Sequence, residues 1–385
     1  MDHVKNIIRK QSGQQRKPGK ATRKNDGRKF QGKAVLSIDI GQYTTKLVLG
    51  RFIKPNVEVK QAVTFRTPHG TIENGRIQDF NELAAQISHV INTEKMRAAY
   101  VFCTMENAEI ITREIILPTV QDTTMENMLQ FEVQQYMPVD LDNYIIQSKV
   151  LNSFDDNGVD KTRFLTTAVP KDLIQGYFDL MQKINLKAAV LDIQSNSVGK
   201  LLLWEYAAAG NSATPDVNSI AVLDFGYSHI NVILIEDGKY QFNRYITQGA
   251  EGIDRSFMSV FGYSEEEIEQ KKRSGIDLSP SSSMSDDPDQ AALRDADIIK
   301  NVIDNWVDEL DRVFKYYASR SREKPVQKIL IHGGVTQIPG FGAYLSKVLG
   351  VPVERVQTLR CVKSQDSSIQ DITPYLNAIG AFIRS

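Results

Sequence analysis

The chain has 385 residues, enough for two substantial cores. Its 41% apolar content, with 16 Phe, excludes a disordered protein, and its formal net charge of -1 hides a strong local asymmetry. No stretch approaches 18 uninterrupted apolar residues, which predicts no membrane-spanning helix, and Cys103 and Cys361 lie too far apart to suggest a metal cluster.

The asymmetry lies at the start. Residues 1–33 hold eleven Lys or Arg against only Asp2 and Asp26, and they lack the apolar core of a secretion signal. This segment reads as a basic, disordered tail. It is either a solvated leader or a contact for an anionic membrane or an acidic protein. Specific nucleic-acid binding is disfavoured, because no aromatic residue interleaves with the charges before Phe30.

Val35–Ile38, Thr45–Phe52 and Val57–Thr64 read as strands, Asn81–Asn92 as a helix and Ala98–Cys103 as a buried strand. Residues 34–107 thus have the texture of an α/β lobe. A change follows near residue 108. Glu109–Leu117 alternates as a strand ended by Pro118, and Thr124–Tyr136 reads as a helix with Met125, Met128, Leu129, Val133 and Tyr136 on one stripe. Strands Asn143–Val150 and Arg163–Val169 flank the polar turn Asp155-Asp156-Asn157-Gly158, and Leu173–Ile184 is helical. Residues 108–187 are therefore expected to form a small inserted α/β subdomain, with 188–217 returning to the first lobe through Ala188–Leu191, Ser197–Ala209 and a linker at Gly210–Asn218. A second lobe is expected over 218–358. It contains the charged helix Glu265–Arg273, a mobile insertion near 278–292, the amphipathic helix Asp297–Arg320, the strand Ile329–Ile331 and the helix Phe341–Leu349. Residues 359–385, helical over Ile372–Ala381, are expected to rejoin the first lobe.

One pattern occurs in both halves. Asp39-Ile40-Gly41-Gln42-Tyr43-Thr44-Thr45-Lys46 and Asp224-Phe225-Gly226-Tyr227-Ser228-His229-Ile230-Asn231 each follow an apolar run. Each reads as strand, acid, glycine turn, strand. Glycine lets backbone amides approach a phosphate without a Cβ clash. A carboxylate beside phosphates suits Mg²⁺, held directly or through water, or positions an attacking water. The alternative is that each Asp caps its turn. Whether Lys46 turns inward as a countercharge is left open by alternation. A third turn, His332-Gly333-Gly334-Val335, follows an apolar strand and offers small residues to a nucleoside. No P-loop motif is present.

These three turns resemble those of the actin, Hsp70 and sugar-kinase superfamily. With Ile116-Leu117-Pro118 and Phe131-Glu132-Val133-Gln134-Gln135-Tyr136-Met137-Pro138, the pattern over 34–384 more closely resembles the type IV pilus assembly protein PilM family. The resemblance implies an actin-like ATPase fold: two RNase-H-like lobes around a nucleotide cleft, with an FtsA-like small subdomain inserted in the first. It implies an ATP- and Mg²⁺-binding scaffold on the cytoplasmic face of the bacterial inner membrane. That scaffold recruits the cytoplasmic peptide of a PilN-like membrane protein into a groove between the first lobe and the insert, and connects it to other pilus platform and motor components. Hydrolysis is expected to be slow or absent. Carried over, phosphate contacts fall on Gly41, Gln42, Tyr43, Thr44, Lys46, Gly226, Tyr227 and Ser228. Water- or Mg²⁺-positioning falls on Asp39 and Asp224, and nucleoside contacts on Gly333, Gly334, Val335, Glu269 and Lys272. The Glu269–Lys272 run also reads as a solvated helix face. Two departures stand out: His229 occupies a position usually held by a small hydroxyl residue, and Gly249-Ala250-Glu251-Gly252 replaces paired glycines. A polymerising FtsA-like protein and a small-molecule kinase using Asp192 as base are the competing readings.

Overall fold

β1 (Val35–Ile40) is buried at all six positions, as a central strand covered on both faces must be. β2 (Thr44–Ile53) and β3 (Asn56–Arg66) return antiparallel beside it. A short hairpin of β4 (Ile72–Glu73) and β5 (Arg76–Ile77) leads to helix α1 (Phe80–Thr93). Asp79 starts that helix by accepting from the amides of Asn81 and Glu82. β6 (Tyr100–Met105) then lies parallel to β1. The computed structural model describes residues 29–120, 122–137, 139–208, 218–273, 276–279, 290–320 and 325–384. Most of the expected basic tail, the 210–218 linker and the 278–292 insertion lies outside the described residues.

The chain next leaves the first sheet. β7 (Ile111–Pro118), α2 (Asp122–Tyr136), β8 (Tyr144–Asp156) and β9 (Val159–Pro170) form a separate sheet of order β7-β9-β8 with one helix. The turn is shorter than expected. β8 and β9 stay paired through Asp155–Asp160 and Asp156–Val159, leaving only Asn157 and Gly158, at φ 55° and 83°, to reverse the chain. Two consecutive left-handed residues match the twist of a tight hairpin. Met125, Met128, Leu129 and Val133 pack α2 on this sheet, as their spacing predicts. Tyr136 does not: it is 59% exposed, and Met137, four residues after Val133, takes the last core position.

Helix α3 (Lys171–Lys183) packs with α1 on the first sheet through Leu173, Ile174, Tyr177, Leu180 and Met181, so the expected 108–187 segment is divided between the small sheet and the first lobe. β10 (Lys187–Ile193) joins β6 in parallel, and α4 (Gln194–Ala208) follows.

The second lobe repeats the plan. β11 (Ser219–Phe225), β12 (Ile230–Glu236) and β13 (Lys239–Ile246) form an antiparallel meander. Helices α5 (Glu251–Phe261), α6 (Glu265–Arg273) and α7 (Gln290–Arg320) come next. β14 (Lys328–His332) lies parallel to β11, and β15 (Val353–Arg355) follows α8 (Phe341–Leu349) to lie parallel to β14. The sheets are ordered β10-β6-β1-β2-β3-β16 and β13-β12-β11-β14-β15, so the same five-strand arrangement occurs in each. β13 and α5 escape the sequence reading. α7 begins seven residues before the predicted Asp297 and buries Ile299, Ile303, Trp306, Leu310 and Tyr317 in the second core.

Finally β16 (Val362–Ser364) pairs with β3, and the chain ends in a 3-10 turn, Thr373–Tyr375, followed by α9 (Leu376–Gly380). The helix predicted over Ile372–Ala381 is thus a 3-10 turn with Pro374 in its first turn, followed by a five-residue α-helix. A core of Val48, Phe102, Val198, Leu201, Val222, Ile233 and Ile379 joins both sheets through α4 and α9. Those helices meet so closely that a Cβ on Gly380 would lie 2.2 Å from the Ser197 carbonyl. No described helix is long and apolar enough to cross a membrane.

Candidate functional site between the two lobes

The duplicated motifs end their strands at the same place, facing each other across α4 and α9. In both turns glycine brings the chain back on itself: the Gly41 amide donates to the Thr44 carbonyl at 3.2 Å, and the Gly226 amide to the His229 carbonyl at 3.0 Å. A Cβ would lie 2.8 Å from the first acceptor and 2.9 Å from the second. The glycine amides thus close the turns themselves. The amides of Gln42, Tyr43, Tyr227 and Ser228 donate to no protein acceptor among the described residues. Thr67 braces the first turn, its hydroxyl on Gly41 O and its amide on Tyr43 O. The second turn is braced by the start of α5, where the Ala250 and Glu251 amides donate to the carbonyls of Gly226 and Tyr227. Gly249 belongs here, since a Cβ on it would sit 2.3 Å from the Tyr227 carbonyl.

Asp39 and Asp224 are both buried. Asp39 accepts from Thr104 Oγ1 and Gln194 Nε2, each at 2.8 Å, and lies 3.9 Å from Lys46, its cross-strand partner. Lys46 therefore does turn inward. Asn377 of α9 links the two carboxylates, its Nδ2 lying 3.4 Å from Asp39 Oδ2 and 2.9 Å from Asp224 Oδ2. The Asn377 Oδ1 is buried without a partner. His332 Nδ1 lies 3.5 Å from Asp224 Oδ1. Burial pushes the Asp224 carboxyl up, but His332, the Asn377 amide, His229 and Lys46 outweigh it and hold the group below its ordinary pKa. Burial in turn lowers the imidazoles of His332 and His229, against the attraction of Asp224 and Asp39.

His229 completes a chain across the lobes. Its Nε2 lies 3.3 Å from Gln194 Oε1, and its Nδ1 lies 3.1 Å from the Ser228 hydroxyl. Because Gln194 donates its amide to Asp39, its oxygen must accept, which assigns the imidazole proton to Nε2 and leaves Nδ1 to accept from Ser228. The unusual residue at this turn thus links Ser228 to Asp39.

The remaining predicted residues divide. Gly333, at φ 94°, lies against Asp224: a Cβ would come within 2.5 Å of its Oδ1, so only glycine permits the approach. A Cβ on Gly334 would meet open space. The Val335 side chain is buried in the second core, and Gln42 accepts from the Asn74 amide. Glu269 and Lys272 do reach the cleft, but meet protein there. Tyr43 donates its hydroxyl to Glu269, and Lys272 pairs with Asp254. The Tyr43 ring also stacks on Tyr227, with centroids 4.8 Å apart and planes at 27°, and the Arg66 guanidinium lies 3.3 Å from its centroid.

Asp192, the base of the kinase reading, is overruled. It is buried on β10 and paired with Lys200, Arg384 and Asn196. Burial raises its pKa, but Lys200 and Arg384 prevail and hold it low, leaving a carboxylate pinned by cations rather than a free base. Glu106, unmarked in the sequence, is buried just beyond β6. It accepts from the Ser195 amide at 3.2 Å and from Asn231 at 3.3 Å, and burial pushes its pKa up to about 7.

The residues suit a magnesium-bound polyphosphate. Two hard carboxylates approach from opposite lobes, a buried amide oxygen lacks a donor, and two turn tips offer unpaired amides. No group of three His, Cys, Asp or Glu side chains could hold a metal among the described residues.

The family model described as type IV pilus assembly protein PilM matches residues 37–385. Among solved structures, a chain of a PilM–PilN type IV pilus biogenesis complex is 20% identical, over 91% of this chain and 99% of that one, with a TM-score of 0.76. The ethanolamine utilization protein EutJ from Carboxydothermus hydrogenoformans is 13% identical over 91% and 89%, with a TM-score of 0.49. MreB5 of Spiroplasma citri bound to ADP is 9% identical over 91% and 95%, at 0.46.

Proposed function

The chain belongs to the type IV pilus assembly protein PilM family and has an actin-like ATPase fold, and we propose that it serves pilus assembly as a nucleotide-responsive scaffold. The observation that carries this reading is the Asp39–Asn377–Asp224 bridge. It draws one carboxylate from each lobe onto one short helix, so a ligand held there acts on both lobes at once. The amides of Gln42, Tyr43, Tyr227 and Ser228 would hold the phosphates of ATP, with Asp39 and Asp224 toward its Mg²⁺. The bound metal would supply charge neutralisation for those phosphates. Gln194 and His229 hold Asp39 and the second turn in register. Whether the bound nucleotide is hydrolysed slowly or not at all is read by phosphate release from the Mg·ATP complex.

The partner is a PilN-like cytoplasmic peptide. β8 is an edge of the small sheet with no second strand beside it among the described residues, so an extended segment can add there. Such recruitment places the protein on the cytoplasmic face of the inner membrane, with the basic 1–33 segment available to anionic lipid. Calorimetry of Mg·ATP with and without a synthetic PilN-like peptide tests the reading. Binding of both, each shifting the affinity of the other by the same factor, is expected. Asp224→Ala should weaken the Mg²⁺-dependent component, and equal affinity in that variant would remove the nucleotide from the scheme.

A further inference from the structure

The two turns that face each other across the cleft carry tyrosines at their tips, and those tyrosines touch. Tyr43 belongs to the first lobe and Tyr227 to the second, and their rings stack at 4.8 Å. Three further contacts fix the pair. The Tyr43 hydroxyl reaches Glu269 on α6 of the second lobe. Arg66 of the first lobe covers the Tyr43 ring at 3.3 Å, and Lys272 approaches it at 5.4 Å. Lys272 is in turn anchored by Asp254 of α5. A tyrosine of the first lobe is therefore gripped by its ring and by its hydroxyl from the second.

The grip occupies the place a ligand needs. Gln42 and Tyr43 supply the unpaired amides of the first turn, and Tyr227 and Ser228 those of the second. The stacked rings join the two tips that carry those amides, so the tips cannot separate to admit a ligand while the stack holds. Glu269 and Lys272 are at the same time committed to Tyr43 and Asp254. Resting on the nucleotide reading above, we propose that the Tyr43–Tyr227 stack, with Glu269 and Arg66, is an internal latch that holds the lobes closed without ligand and must part before Mg·ATP can bind. Ligand entry then exchanges one interlobe link for another, and the lobes change their relation only as the stack breaks. The latch lowers apparent affinity by the fraction of time it is shut.

The test reads lobe separation and affinity independently. Cys103 and Cys361 are buried, so nitroxide labels placed through Lys60→Cys on the first lobe and Lys347→Cys on the second report the distance between lobes. Without nucleotide, Tyr43→Ser and Tyr227→Ser should each broaden and lengthen that distance, whereas Tyr43→Phe, which keeps the ring, should do so less. In calorimetry the two serine variants should bind Mg·ATP about tenfold more tightly than the parent, a gain of about 1.4 kcal/mol. Circular dichroism and melting curves confirm that each variant is folded. Parent-like distances with equal affinities would overturn the latch and leave the nucleotide reading intact. A longer distance with no Mg·ATP binding in any variant would remove the nucleotide reading, and with it the latch, since the stack would then guard nothing.

Discussion

Replacing Glu106 by Gln tests whether the cleft floor carries a buried acid whose charge state is set near neutrality. Glu106 is 5% exposed, and burial is the largest influence on it, raising its pKa from 4.5 to about 7 against the opposing Ser195 contacts. A carboxyl raised on folding binds its proton more tightly in the native state. Its contribution is therefore fully favourable below pH 4.5 and is lost as pH rises toward 7. By that linkage the easier ionisation of the unfolded state removes on the order of 1 kcal/mol of native stability at pH 5 and about 3 kcal/mol at pH 8. Gln keeps an oxygen to accept from the Ser195 amide and from Asn231, and it does not titrate. The experiment is urea unfolding of both proteins at pH 5 and pH 8. The variant should gain about 2 kcal/mol relative to the parent between the two conditions. The other ionisable groups contribute equally to both proteins and largely cancel in that double difference. A parent–variant gap that is the same at both pH values would refute a titrating Glu106, whatever the absolute stabilities.

Three further outcomes follow from the cleft and its surroundings. Asn377→Leu removes the amide that both carboxylates share, and with buried acceptors each costing about 1–3 kcal/mol when unpaired, the denaturation midpoint should fall clearly; an unchanged midpoint would mean the bridge has no energetic weight. Gly333→Ala places a Cβ 2.5 Å from Asp224 Oδ1 at a φ of 94°, so backbone strain of roughly 1–3 kcal/mol plus the clash should lower the melting temperature, whereas Gly334→Ala, with open space at its Cβ, should be nearly neutral. Asp192→Asn strands the buried Lys200 beside Arg384 and should destabilise by about 3–5 kcal/mol; a small loss here, read from the same urea curves, would show that solvent reaches the cluster.

The repeated strand–Asp–x–Gly–strand pattern was legible because it is local: a buried run, a turn glycine and a second run lie within a dozen residues. Helix α7 was legible for the same reason, through its stripe from Ile299 to Tyr317. The partners of the acids were not. Gln194 and Asn377 reach Asp39 from 155 and 338 residues away, so no spacing rule connects them. Glu269, read from sequence as a nucleoside contact, accepts from the Tyr43 hydroxyl of the other lobe, a pairing 226 residues apart that no local spacing could show. A signal for that was present and unused: both turns carry an aromatic residue where a phosphate site favours small ones. Tyr136 fell on the predicted helical stripe but lost its core place to Met137, which lies one full turn after Val133 and closer to its face.

The two lobes share their backbone plan but not their electrical one. Across the first turn Asp39 faces Lys46, while across the second Asp224 faces Asn231. The acid occurs in both halves, but the facing cation only in the first. The first carboxylate is thus paired within its own hairpin, whereas the second has only an amide and imidazoles close by on its own side. Lys46 reaches beyond its own hairpin, since it also helps hold Asp224 below its ordinary pKa. When the lobes part, Lys46 leaves with the first, so Asp224 loses a cation that Asp39 keeps, and the two halves of a nearly symmetric frame are left unequal in what they carry away.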